Sequence, residues 1–99
     1  MADGVISLAH PGKILAEEFL RPLGISQARL AKDIGVSTKR INAIVAGQRR
    51  INADMALRLG RYFHISPHFW MNLQARYDLE VARAKLGERL LQEVRALEE

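Results

Sequence analysis

Between Ser26 and Arg50 the chain gathers hydrogen-bonding and cationic side chains at spacings that suit a polyanion. Thr38, Lys39, Arg40 and Asn42 lie within five residues of sequence; Gln27 and Ser37 precede them, and Gln48, Arg49 and Arg50 follow. Amide and guanidinium groups pair with base edges, and lysine and arginine with phosphate oxygens. The charge supports the same chemistry. Net charge is +4, yet residues 26–61 alone hold eight Lys/Arg against two acids, Asp33 and Asp54. Residues 77–99 lean the other way, with four basic and six acidic side chains. Charge alone fits a solvated surface equally well, so spacing has to decide.

Other chemistries fade on inspection. The chain has no cysteine, which removes disulfides and thiolate metal sites and fits a reducing cytoplasm. His64 and His68 are four apart, but Ser66-Pro67 interrupts any helix between them and with it the paired-ligand geometry of zinc. Glu17 and Glu18 are adjacent and point apart on a helix, which does not suit an acid/base pair. Neither a glycine-rich phosphate loop nor a serine-nucleophile motif is present, so no enzyme and no cofactor is expected. Phe69, Trp70 and Tyr77 have helical spacing and read as core sooner than as a base-stacking platform. The start, Met1-Ala2-Asp3-Gly4, lacks a signal peptide's basic and apolar run, and no stretch approaches about 20 apolar residues. Cytoplasmic location without a membrane is the expectation.

The positioning elements are helices; alternating strand patterns bounded by hairpin turns are missing. A first helix is expected from Pro11 to Leu20, with Ile14, Leu15 and Phe19 on one face and Pro22-Gly24 ending it. Ser26 caps a second, Gln27 to Ile34, with Leu30, Ala31 and Ile34 inward. Gly35 ends it in a left-handed conformation, and Val36 is a buried turn residue. Ser37 caps a third helix that runs to Ala46, with Ile41, Ile44 and Val45 inward and Gly47 as its stop. Asn52 or Ala53 opens a fourth, with Ala56, Leu59 and Phe63 on its apolar face. Ser66-Pro67 opens a fifth that carries Phe69, Trp70, Leu73, Tyr77 and Val81. The tail continues helical through Leu86, Leu90, Val94 and Leu97, with Gly87 a weak point. Residues 1–9 form an N-terminal tail, 10–82 the domain and 83–99 a helical extension.

Two short helices joined by Gly35-Val36-Ser37 form a helix-turn-helix. Ala31 is small where the third helix crosses it, and Ile41 and Ile44 anchor that helix on the core. Its opposite face, with Thr38, Lys39, Arg40, Asn42 and Ala43, is left for a major groove. Thr38, Lys39 and Asn42 are the best placed to read bases, and Arg40 reaches either a base edge or the backbone. Gln27, Ser37, Gln48, Arg49 and Arg50 are placed for phosphate, whereas Arg58 and Arg61 fit a solvated surface better. Two half-sites about one DNA turn apart call for a dimer. Leu79, Leu86, Leu90, Val94 and Leu97 are the candidate dimer face; a tail that only caps its own core, or frays, is the alternative.

His10-Pro11-Gly12, Glu17-Glu18-Phe19-Leu20, Pro22-Leu23-Gly24, Ser26-Gln27, Gly35-Val36-Ser37 and Gly47-Gln48-Arg49 form a recognisable series. With Met55-Ala56-Leu57-Arg58-Leu59, Ser66-Pro67, Phe69-Trp70, Asn72-Leu73-Gln74 and Tyr77-Asp78-Leu79, it resembles the HigA-type antitoxins among Xre/Cro-like helix-turn-helix regulators. Lys13 stands where that pattern carries an acid. The resemblance implies an all-α, compact five-helix lambda-repressor-like domain with a C-terminal helical extension. It also implies a homodimer on a palindromic double-stranded operator that represses its own operon, and a RelE-like ribonuclease toxin as partner. Thr38, Lys39, Arg40 and Asn42 match the family's operator-reading positions, and Gln27 its phosphate contact. A stand-alone regulator without a toxin, or a protein-interaction module, are the alternatives.

Overall fold

The computed structural model describes residues 9–98. The expected N-terminal tail falls outside these residues except for Ala9. Among them six helices follow one another, and local capping chemistry sets most of their boundaries. The first, α1, is one continuous rod built from Pro11–Ile14, a π-helical Leu15–Leu20 and Arg21–Leu23. The His10 ring nitrogen Nδ1 accepts the Gly12 N–H at 2.9 Å, and Pro11 occupies the first turn, where its missing N–H has no cost.

The sequence places the last residue of this helix at Leu20, with Pro22-Gly24 as the stop; the structure carries it past Pro22 to Leu23. The Arg21 N–H bonds the Ala16 carbonyl, an i→i−5 step. A proline ring crowds the carbonyl four residues earlier, and a widened π turn makes room for it. Gly24 then closes the rod.

Helix α2 (Gln27–Ile34) starts on Ser26, whose Oγ accepts the Arg29 N–H at 3.0 Å. It ends in a paired closure: the Val36 N–H bonds the Ala31 carbonyl at 3.0 Å and the Gly35 N–H bonds that of Lys32 at 3.4 Å. This closure needs φ near +75° at residue 35, a conformation glycine takes without strain. Val36 is half-buried against the core. Ser37 repeats the cap for α3 (Thr38–Val45), its Oγ accepting the Arg40 N–H at 3.1 Å. Asn52 caps α4 (Ala53–Phe63) through the Met55 N–H at 2.9 Å, and Ser66 caps α5 (Pro67–Leu86) through that of His68 at 3.1 Å.

The core is Leu15, Leu20, Leu30, Ala31, Ile34, Ile41, Ile44, Ile51, Met55, Ala56, Leu59 and Trp70. Trp70 is wholly enclosed, with the rings of Phe19 and Phe69 at 4.9 and 5.0 Å and Phe63 at 6.2 Å. Phe69 and Trp70 are therefore packing, as their helical spacing predicts, whereas Tyr77 lies apart from this cluster, half-buried with its ring 4.9 Å from that of His10. Helix α1 approaches α3 so closely that Gly12 meets its backbone: a Cβ there would lie 2.6 Å from the Ile44 carbonyl carbon.

The C-terminal extension differs from expectation. Helix α5 ends at Gly87, a short α6 (Arg89–Glu93) follows, and residues 94–98 are not helical. Leu79 and Leu86 thus sit on α5, Leu90 on α6, and Val94 and Leu97 beyond both, so they form no continuous helical stripe. Little apolar burial opposes the break, since Leu90, Val94 and Leu97 are exposed. Among the described residues no helix is long and apolar enough to cross a membrane, and no group of three or more His, Cys, Asp or Glu side chains could hold a metal ion.

Candidate nucleic-acid interface

Helix α3 presents one face to the core and one to solvent. Ile41 and Ile44 are fully enclosed. Thr38, Lys39 and Asn42 are exposed and Ala43 is half-buried, so three of the side chains expected to meet a groove stand free in solvent. Ser37 is exposed while it caps that end, and Gln27 is half-buried at the first position of α2. The helix N-terminus adds partial positive charge to the same region.

Arg40 behaves differently from its neighbours. It is half-buried, and its Nη2 donates to Asn52 Oδ1 at 3.3 Å, the oxygen that also caps α4. Its Nε is buried without a partner. The side chain therefore links the first turn of α3 to the start of α4, leaving part of the guanidinium for another acceptor.

After α3, the loop with exposed Gln48, Arg49 and Arg50 is tied at its far end to α5. The Ile51 N–H, on a fully buried residue, donates to Gln74 Oε1 at 2.7 Å. Gln74 Nε2 donates to Asp78 Oδ1 at 3.0 Å, and Arg50 Nη2 donates to Asp78 Oδ2 at 2.8 Å. Sequence reasoning assigns Arg50 to phosphate and gives Gln74 and Asp78 no role. The signal was present: Gln74 is a polar residue one turn after Trp70 on the apolar side of α5, and Asp78 is one turn further on.

Arg58 also differs from the solvated-surface expectation. Its Nη1 donates to the Ile34 carbonyl at 2.8 Å and its Nε to Asp54 Oδ1 at 2.7 Å, so it closes the C-terminal end of α2. That hydrogen bond holds Asp54 below its ordinary pKa. Nearby, the Tyr62 hydroxyl donates to Asp33 Oδ2 at 2.7 Å, which lowers the Asp33 pKa and raises that of Tyr62. Both acids of the basic segment are thus satisfied internally. Neither lies on the exposed face of α3.

With this geometry in place, likeness to known proteins carries weight. The helix-turn-helix family pattern matches residues 17–70. Virulence-associated protein I of Dichelobacter nodosus is 55% identical over 73 residues, covering 74% of this chain and 68% of that one. Among solved structures, the Pseudomonas aeruginosa antitoxin HigA with the higBA promoter superposes with a TM-score of 0.87 at 50% identity, covering 91% of this chain and 98% of that one. An addiction module antidote of the HigA family from Coxiella burnetii gives 0.86 at 44% identity, covering 90% and 97%.

Proposed function

From the premise that this chain belongs to the helix-turn-helix family, among its HigA-type antitoxins, we propose that it binds its own promoter, represses its toxin–antitoxin operon and neutralises a RelE-like toxin. The observation that carries the DNA half is the free face of α3. Thr38, Lys39 and Asn42 project from a helix locked by Ile41 and Ile44, with the proximal turn capped by Ser37. In this reading those three side chains meet base edges in the major groove, and Arg40 joins them with the N–H groups that Asn52 does not engage. Gln27, Ser37, Gln48, Arg49 and Arg50 meet phosphates on either side and fix the helix in register.

A homodimer on a palindrome follows from the same geometry, because one short helix reads only one half-site. The exposed side chains of Leu79, Leu90, Val94 and Leu97, with Leu86, remain the proposed contact, now as separate patches on α5, α6 and the tail. Sedimentation of a chain truncated after Lys85 tests it: loss of the dimer supports the tail, and an unchanged dimer assigns the contact elsewhere. The toxin half is tested by co-purification with the product of the adjacent gene, followed by a gel shift on the shared promoter. A stable complex and a shifted promoter are expected. Promoter binding without any co-purifying partner would instead fit a stand-alone regulator.

A further inference from the structure

The chain Ile51–Gln74–Asp78–Arg50 joins the loop after the groove-facing helix to the middle of α5, through contacts of 2.7, 3.0 and 2.8 Å. Two features set it apart from ordinary surface pairing. Gln74 is the one buried polar side chain among the described residues, and it anchors the backbone N–H of Ile51, a residue itself wholly buried. A polar group placed there is costly unless both of its ends are satisfied, as they are. The same Asp78 carboxylate that completes Gln74 also grips Arg50 by one nitrogen. Arg50 remains largely exposed, its side chain 61% accessible, so its other N–H groups face solvent.

A carboxylate behind an arginine fixes the planar fork and lowers the conformational freedom lost when the remaining donors meet an anion. Building on the DNA-binding reading, we propose that Asp78, seated by Gln74, is a positioning residue that holds Arg50 ready for a DNA phosphate. Helix α5 thereby sets the pose of the loop that clamps the backbone, without touching DNA.

The sign of one substitution separates this from plain electrostatics. Removing an acid beside a polyanion should tighten binding; removing a brace should weaken it. The test is a double-mutant cycle in the full chain with Asp78→Ala, Arg50→Ala and the double variant. Each is titrated, over a range of salt, against a duplex of its own promoter region and a scrambled duplex of equal length. Arg50→Ala is expected to weaken both duplexes and to flatten the log K against log salt slope by about 0.9, one phosphate contact. Asp78→Ala is expected to weaken both by about two- to fivefold, the range of an exposed ion pair, and to add nothing once Arg50 is gone. Asp78→Ser, which is too short to reach Arg50, runs in parallel should the alanine variant fold poorly. Unchanged or tighter binding by the Asp78 variants overturns the proposal, as does an equal loss with and without Arg50. If the parent chain binds neither duplex, the DNA reading itself fails and this inference with it.

Discussion

Replacing Gly12 by alanine sets two opposing effects against each other, and their sizes decide the outcome. Gly12 lies in the first turn of α1, where alanine would ordinarily gain up to about 1 kcal/mol of helix propensity. Its backbone, however, rests on α3: the added Cβ would sit 2.6 Å from the Ile44 carbonyl carbon and 3.0 Å from Val45 Cα, and nearer still to the Ile44 oxygen. Carbon atoms pack at about 3.5–4.0 Å, so the two helices must separate by roughly 1 Å. The obstacle is backbone, which no rotamer change relieves, and overpacking of this kind costs about 3 kcal/mol or more. The net expectation is a loss of at least about 2 kcal/mol, from a total of about 5–15 for a domain of this size. In urea unfolding this appears as a midpoint lower by about 1 M for a slope of about 2 kcal/mol per M. Because the displaced element is α3, promoter affinity should fall in the fraction that stays folded. Gly24→Ala is the control: no atom lies within 4 Å of its Cβ, so only its left-handed backbone, φ +67°, is strained. A Gly12→Ala chain as stable as the parent, or more so, would refute the close approach of α1 to α3.

Two further expectations follow from the same contacts. Burial lowers the His10 pKa from its ordinary 6.5, opposed by the Asp78 charge, so protonation favours the unfolded chain. The contribution is fully present above pH 6.5 and is lost as pH falls below it through the folded value. His10→Asn keeps an acceptor for the Gly12 N–H and should flatten that limb in denaturation curves measured from pH 8 to 5. Arg58→Ala removes the donor on the Ile34 carbonyl and should cost about 1 kcal/mol by thermal melting, one net hydrogen bond. Promoter preference in a gel shift should be unaltered, and a change in it would move Arg58 into the interface.

Features written in adjacent residues were legible in the sequence. Ser26, Ser37 and Ser66 each cap a helix through a bond to a backbone N–H two or three residues on, which spacing alone predicts; Asn52 does the same where the sequence leaves the start open between Asn52 and Ala53. Ile41 and Ile44 declare the buried side of α3 by period, and so the exposed one. What escaped depends on residues far apart in sequence or on competing local terms. Arg58 and Gln74 act on partners 24 and 23 residues away; the place of Gln74 on the apolar side of α5 marks it as a buried polar group, but no local pattern names the partner of either. Pro22 reads as a helix stop because the fixed ring forbids an ordinary α turn, and the π segment before it is a solution that only the packed helix reveals. At Gly87 the opposite happened: the leucine spacing suggested continuation, but exposed leucines offer no burial to hold the helix together.

In the DNA-binding reading, the exposed face of α3 reads sequence. Affinities of the parent and of Asn42→Ala for the chain's own promoter duplex and for a scrambled duplex, at one fixed salt concentration, test it most directly. The parent is expected to prefer its promoter and Asn42→Ala to lose about 1–3 kcal/mol of that preference, with scrambled-duplex affinity unchanged. Equal losses on both duplexes, or none on either, would contradict it.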